Sequence, residues 1–243
     1  MKRTPISAKM FVGLAAICAL ALLGFGFARW ESVDLVRFGC FVILSAAASR
    51  MKVSLPGLNG NMSVNLPFML LAALELSLPE ALAVAVASTA VQCLPKGGKR
   101  MTAIQVIFNI SLIVNAIGVA HLVAHLAALF GSGMPGKSLA LIAAAVAFFL
   151  VDTVPVAIIL GLAEGANVFQ TWKEIALLTF PFFVLSAGVV SLAATAVKFV
   201  GWQIPLAMFP VMALTFASFK RYFTQTAKLH SKQDPFVSSA AAD

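Results

Sequence analysis

Few side chains in this sequence are suited to acid–base or ligand chemistry, and several of those stand inside long apolar runs. With nine Asp and Glu and three His in 243 residues, each such group in an apolar setting needs a reason. Asp152 lies within the run from Ser138 to Leu162 and is followed by Thr153 and Pro155. A carboxylate at that depth either binds a cation or cationic ligand, titrates, or serves as a hydrogen-bonded packing residue, and the sequence leaves these readings open. Ser111, Asn115, Gly118, His121 and His125 recur at spacings of four, three, three and four, which places them on one face of a helix. Such a stripe must face the bundle interior or a wet cavity. His121 and His125 stand at i, i+4, but no Glu completes an HExxH pattern and no cysteine is near. They therefore read as titrating or hydrogen-bonding groups close to the outer surface, with no metal assigned. Thr102, Gln105 and Asn109 form a second short stripe, explained by packing against a neighbouring helix or by a ligand site. Glu75 precedes a turn and reads as an interfacial, solvated carboxylate or a ligand-binding group. Glu80 follows Ser77, Leu78 and Pro79 in a capping-box pattern that starts a helix near Leu78.

Catalytic signatures do not accompany these residues. The sequence has no GxSxG, Walker loop, paired-carboxylate motif or zinc signature, so no enzyme activity and no cofactor are expected. Cys18, Cys40 and Cys93 have no CxxC spacing, which suggests neither a disulfide framework nor a zinc site.

The elements that must hold these groups are legible from composition. Hydrophobic residues make up 61%, charged residues 11%, and the mean hydropathy is +0.99, far more apolar than soluble domains. Only helices or closed barrels satisfy their backbone in lipid, and the long unbroken apolar runs favour helices. The runs are Met10 to Ala28, Leu35 to Ala48, Asn65 to Leu76, Leu78 to Leu94, Met101 to Phe130, Ser138 to Leu162, Ile175 to Val197 and Ile204 to Phe219. The expected fold class is thus all-α: a polytopic membrane bundle of about eight segments, the third and fourth forming a short helical hairpin. Met1-Lys-Arg and the run after it resemble a signal peptide, but no A-x-A-like site closes the run, so an uncleaved first span is expected.

Charge placement orients the bundle. With both termini in the cytoplasm, Lys2, Arg3, Lys9, Arg50, Lys52, Lys96, Lys99, Arg100, Lys173, Lys220, Arg221, Lys228 and Lys232 lie inside, and Arg29, Arg37, Lys137 and Lys198 outside. That split of thirteen to four would become seven to ten if the third and fourth runs formed one span, so the positive-inside rule supports the hairpin. The net charge of +8 is accordingly topogenic, with no nucleic-acid partner implied. Between the second and third runs, Met51, Val53 and Leu55 alternate with Lys52 and Ser54, a Pro56-to-Asn61 turn follows, and then Met62, Val64 and Leu66. This reads as a small β-hairpin at the cytoplasmic interface or as an irregular loop. Residues 1–223 form the expected membrane domain and 224–243 a disordered cytoplasmic tail.

The stretch from Ser49 to Asn65, the Glu75-Leu-Ser-Leu-Pro-Glu80 turn, Val91-Gln-Cys-Leu94 and Gln105-Val-Ile-Phe-Asn109 together resemble the multi-helix, membrane-associated sensor region (MASE-like) that precedes GGDEF or HD-GYP output domains in bacterial cyclic-di-GMP enzymes. The resemblance covers about residues 50–221. It implies an intramembrane module that senses a small molecule or lipid, and a bacterial inner-membrane location. In that family the last helix leads into a catalytic domain, whereas here a polar stretch from Thr224 follows. Cyclase or phosphodiesterase activity is therefore not carried over, and the module would act through a cytoplasmic signalling partner, with the lipid bilayer as its surroundings. The alternative expectation is a small-solute transporter or substrate-binding membrane component, with the short third and fourth helices and Asp152 forming its site.

Overall fold

The computed structural model of the protein describes residues 5–28, 30, 34–54, 61–95, 101–128, 134–201 and 203–233. Eight helices run through them: α1 (Ile6–Phe27), α2 (Leu35–Ser49), α3 (Leu66–Glu75), α4 (Leu78–Cys93), α5 (Ala103–Ala128), α6 (Met134–Glu164), α7 (Val168–Val200) and α8 (Ile204–Gln233). Two three-residue strands, β1 (Lys52–Ser54) and β2 (Asn61–Ser63), pair antiparallel between α2 and α3, with Val53 opposite Met62. The alternating pattern there forms a ribbon, and its turn at 55–60 lies outside the described residues.

Helices α1, α5, α6 and α7 are long and apolar enough to cross a membrane. Apart from the short ribbon, the described residues thus form a helical bundle of membrane-protein type. The 22 residues of α1 extend about 33 Å at ~1.5 Å per residue, sufficient for a hydrocarbon core of about 30 Å. Three helices are shorter. With 15, 10 and 16 residues in α2, α3 and α4, they reach only about 22, 15 and 24 Å.

Local signals set the ends. The Asp34 carboxylate accepts from Arg37 N at 2.9 Å and starts α2. Asn167 Oδ1 accepts from the N–H groups of Phe169 and Gln170 at the start of α7, just after Gly165 turns the chain at φ 73°. Gly201, at φ 90°, ends α7, a conformation in which glycine carries no Cβ penalty. Pro155, Pro181 and Pro210 stand inside α6, α7 and α8. Each removes one ladder donor and exposes a carbonyl four residues earlier.

Two boundaries depart from the sequence reading. Helix α7 begins at Val168, ahead of the apolar run at Ile175, because the Asn167 cap supports a polar first stretch containing Lys173 and Glu174. Helix α8 continues through Gln233, past Thr224, where composition places the start of a disordered tail. Neither Gly nor Pro intervenes before Pro235, and the Lys, Gln and Ala of this stretch are helix formers. Residues 234–243 lie outside the described residues.

Helix α3 is the hub. It packs against α2, α4, α5, α6 and α7, and Leu66 through Ala73 are all buried. A helix apolar all round is stable only when surrounded. Around it, α5 packs on α1, α4 and α6, while α8 lies against α2 and β1. The Leu22 side chain of α1 lies over Gly118 of α5, where a Cβ would stand 2.8 Å from Leu22 Cδ1.

Candidate functional site

The break between α3 and α4 gathers the densest polar chemistry. Helix α3 ends inside the bundle with carbonyls that no further turn can satisfy. Leu76 N bonds Ala72 O at 3.0 Å, His121 Nδ1 reaches Ala73 O from α5 at 2.9 Å, and Arg37 Nη2 donates to Glu75 O from α2 at 2.8 Å. The same Arg37 Nη2 lies 2.9 Å from Glu75 Oε2, forming an ion pair whose two side chains are each 26% exposed. Glu75, expected as a solvated interfacial carboxylate, is thus tied to a guanidinium. Because a carbonyl can only accept, His121 must carry its proton on Nδ1.

On the other side of the break, Glu80 Oε2 accepts from Ser77 N at 3.1 Å and Ser77 Oγ at 2.8 Å. Ser77 also caps the N3 backbone, which completes the capping box. Glu80 has the role that its sequence context indicated.

The first four residues of the α5 stripe pack against neighbouring helices, and the fifth does not. Ser111 is buried, Asn115 Nδ2 donates to Ala15 O of α1 at 3.0 Å, Gly118 meets Leu22 of α1, and His121 joins α3. His125 is exposed, its Nδ1 donating to His121 O at 2.8 Å. The two imidazole centroids are 4.0 Å apart. Among the described residues, no three His, Cys, Asp or Glu side chains converge in a metal-binding arrangement.

Asp152 and Asn109 lie apart from these contacts. Asp152 is half-buried on α6 and has no hydrogen bond or ion pair among the described residues. Its neighbour Thr153 donates to Phe149 O at 2.7 Å and accepts from Trp172 Nε1 of α7 at 3.2 Å. Thr153 thus adds a polar link to an α6–α7 contact that also includes Phe149 against Phe180 and Phe183. Asn109 Nδ2 lies 3.9 Å from Cys93 Sγ and 3.7 Å from Met101 Sδ, where it links the ends of α4 and α5.

Three polar features escaped the sequence reading. Thr102 and Gln105, taken as a packing stripe, cap α5: Gln105 Oε1 accepts from Thr102 N at 2.9 Å and from Thr102 Oγ1 at 3.1 Å. The T-x-x-Q spacing was a sufficient signal. At the end of α4, Arg50 Nη1 donates to Val91 O and Leu94 O, both at 3.3 Å, and Lys52 Nζ donates to Gln92 O, satisfying terminal carbonyls with cations. Finally, Asn65 Nδ2 donates to Ser88 Oγ at 2.8 Å, which donates to Ser45 O at 3.1 Å. All three residues are buried, and nothing in their spacing announces this seam across α2, α3 and α4. No protein-family model, characterised protein or solved structure matches the chain.

Proposed function

We propose that this protein is a non-enzymatic membrane sensor in which a small molecule or lipid bound by the helical bundle alters the disposition of α8, and α8 delivers that change to a cytoplasmic partner. The bacterial inner membrane, with both termini in the cytoplasm, is the setting that this reading assigns. The carrying observation is that α8 packs on α2 and β1 and then continues unbroken from Ile204 to Gln233, through Lys220 and Arg221. A single helix reaching from the bundle into a basic segment is a suitable mechanical output. The resemblance to membrane-associated sensor regions, which place their output after the last helix, supports the same assignment.

The carrier alternative draws on the broken α3–α4 pair, since carriers turn half-helix ends toward their solute. Here, however, Ala73 O and Glu75 O are held by His121 and Arg37, and the α4 N-terminus is closed by Ser77 and Glu80. Groups that would greet a solute are engaged by the chain itself, which weighs against a carrier.

The test uses the full chain in lipid nanodiscs, screened by thermal unfolding against metabolites and lipids. A stabilising compound is expected to change hydrogen exchange along 216–233 and to undergo no chemical conversion. Concentrative uptake of that compound into proteoliposomes containing only this chain would favour the carrier. Turnover of GTP or cyclic-di-GMP by the chain alone would overturn the non-enzymatic assignment.

A further inference from the structure

His121 and His125 are joined by a feature that their i, i+4 spacing does not reveal. Each imidazole uses Nδ1 on a backbone carbonyl, His121 on Ala73 O at 2.9 Å and His125 on His121 O at 2.8 Å. With the proton fixed on Nδ1, each neutral ring keeps its lone pair on Nε2. This is the outer-shell arrangement that orients metal-binding histidines: one ring nitrogen donates to a carbonyl, and the other is left for the ion. The rings are adjacent, with centroids 4.0 Å apart, which places two imidazole donors side by side at one end of α5.

The surroundings favour a cation. His125 lies in the last turn of α5, and His121 contacts Ala73 O in the last turn of α3, so two helix ends with partial negative charge meet here. The charges of Arg37 and Glu75, also at the end of α3, offset one another. His125 is exposed at the bundle surface, close to the C-terminal end of α5.

We propose that His121 and His125 form a two-imidazole site for a divalent transition-metal ion of the Cu2+, Ni2+ or Zn2+ class, bound through both Nε2 atoms with water completing the shell. Imidazole donors suit these ions and not Mg2+ or Ca2+, and Cu2+ should bind most tightly. The site goes beyond the sensor reading and does not depend on it. The sequence argument against a metal rested on the absence of an HExxH glutamate and of a nearby cysteine, neither of which a two-histidine site requires.

The experiment uses the full-length chain, free of any affinity tag and stripped with chelator. Cu2+ is titrated by equilibrium dialysis and followed by electron paramagnetic resonance, with Mg2+ as the negative comparison. Wild type should bind one Cu2+ per chain with a signal split by two nitrogen donors. His125→Gln and His121→Gln should each weaken binding at least tenfold and lose the two-nitrogen pattern, while His230→Gln leaves both unchanged. His125 is exposed, so its variant keeps the test decisive even where His121→Gln impairs folding. Equal Cu2+ affinity in wild type and His125→Gln overturns the proposal, as does binding abolished by His230→Gln.

Discussion

Arg37 and Glu75 show how one pair of side chains closes a helix that has nowhere to continue. The guanidinium serves both the last carbonyl of α3 and the carboxylate of the same residue. Its removal therefore leaves two acceptors poorly satisfied in a partly buried place. Arg37→Met, which keeps the aliphatic stem, should cost about 1–3 kcal/mol, and Glu75→Gln should cost less because the backbone acceptor survives. A double-mutant cycle read from unfolding in detergent should give a coupling of about 0.5 kcal/mol or more; additive effects would show that the pair is only a contact. Asp152 presents the opposite case. A half-buried carboxylate on a spanning helix without a partner among the described residues is costly. Asp152→Leu should thus raise the unfolding midpoint, and Asp152→Asn should leave the fold intact. A marked fall in midpoint for Asp152→Leu would show instead that the carboxylate holds the fold together. If Asp152 serves the bundle's ligand, the stabilised Leu variant should also lose the ligand-induced shift.

Among the elements, glycine separates packing from propensity. Gly118 sits where a Cβ meets Leu22 at 2.8 Å, whereas nothing lies within 4 Å of a Cβ at Gly13. Gly118→Val should displace the Leu22 side chain and cost about 1–3 kcal/mol. Gly13→Ala, in the same α1 that receives the contact, should be neutral or stabilising by about 0.5–1 kcal/mol. Equal effects in thermal unfolding would refute the packing of Leu22 over Gly118. Eight helices were legible because apolar composition changes sharply at their ends, and the Ser77–Glu80 box was readable because capping is local. The α7 start was missed because its first turns are polar and held by a cap, and the Thr102–Gln105 box was submerged in a stripe argument. The central place of α3 had no sequence signal: residues facing protein and residues facing lipid are both apolar. Equally, the contacts of Arg37 with Glu75, 38 residues apart, and of His121 with Ala73, 48 apart, arise only once the helices pack. Of the candidate residues, the sequence identified the polar groups but not their partners.

For the whole molecule, the two short central helices are closed by neighbours in the same manner. Arg50 and Lys52 satisfy the last carbonyls of α4, and Arg37 and His121 those of α3. Because α3 and α4 are joined by a break at Leu76 and Ser77, these two closures belong to opposite limbs of one hairpin. The thirteen-to-four distribution of Lys and Arg predicts that reporter fusions at the N-terminus, near Lys96 and after α8 all report cytoplasm. A periplasmic signal near Lys96 would refute the hairpin orientation.

The burial of α3 also bears on how the protein is made. At 10 residues, about 15 Å, it cannot stand alone across a bilayer of about 30 Å, and its walls include α6 and α7, which are synthesised long after it. During translation α3 must wait, held beside α4 or at the membrane surface, until the C-terminal half arrives to enclose it. Its final seating is therefore a late event of biogenesis, and a chain interrupted before α7 would display part of Leu66 to Ala73 without the wall that α7 supplies.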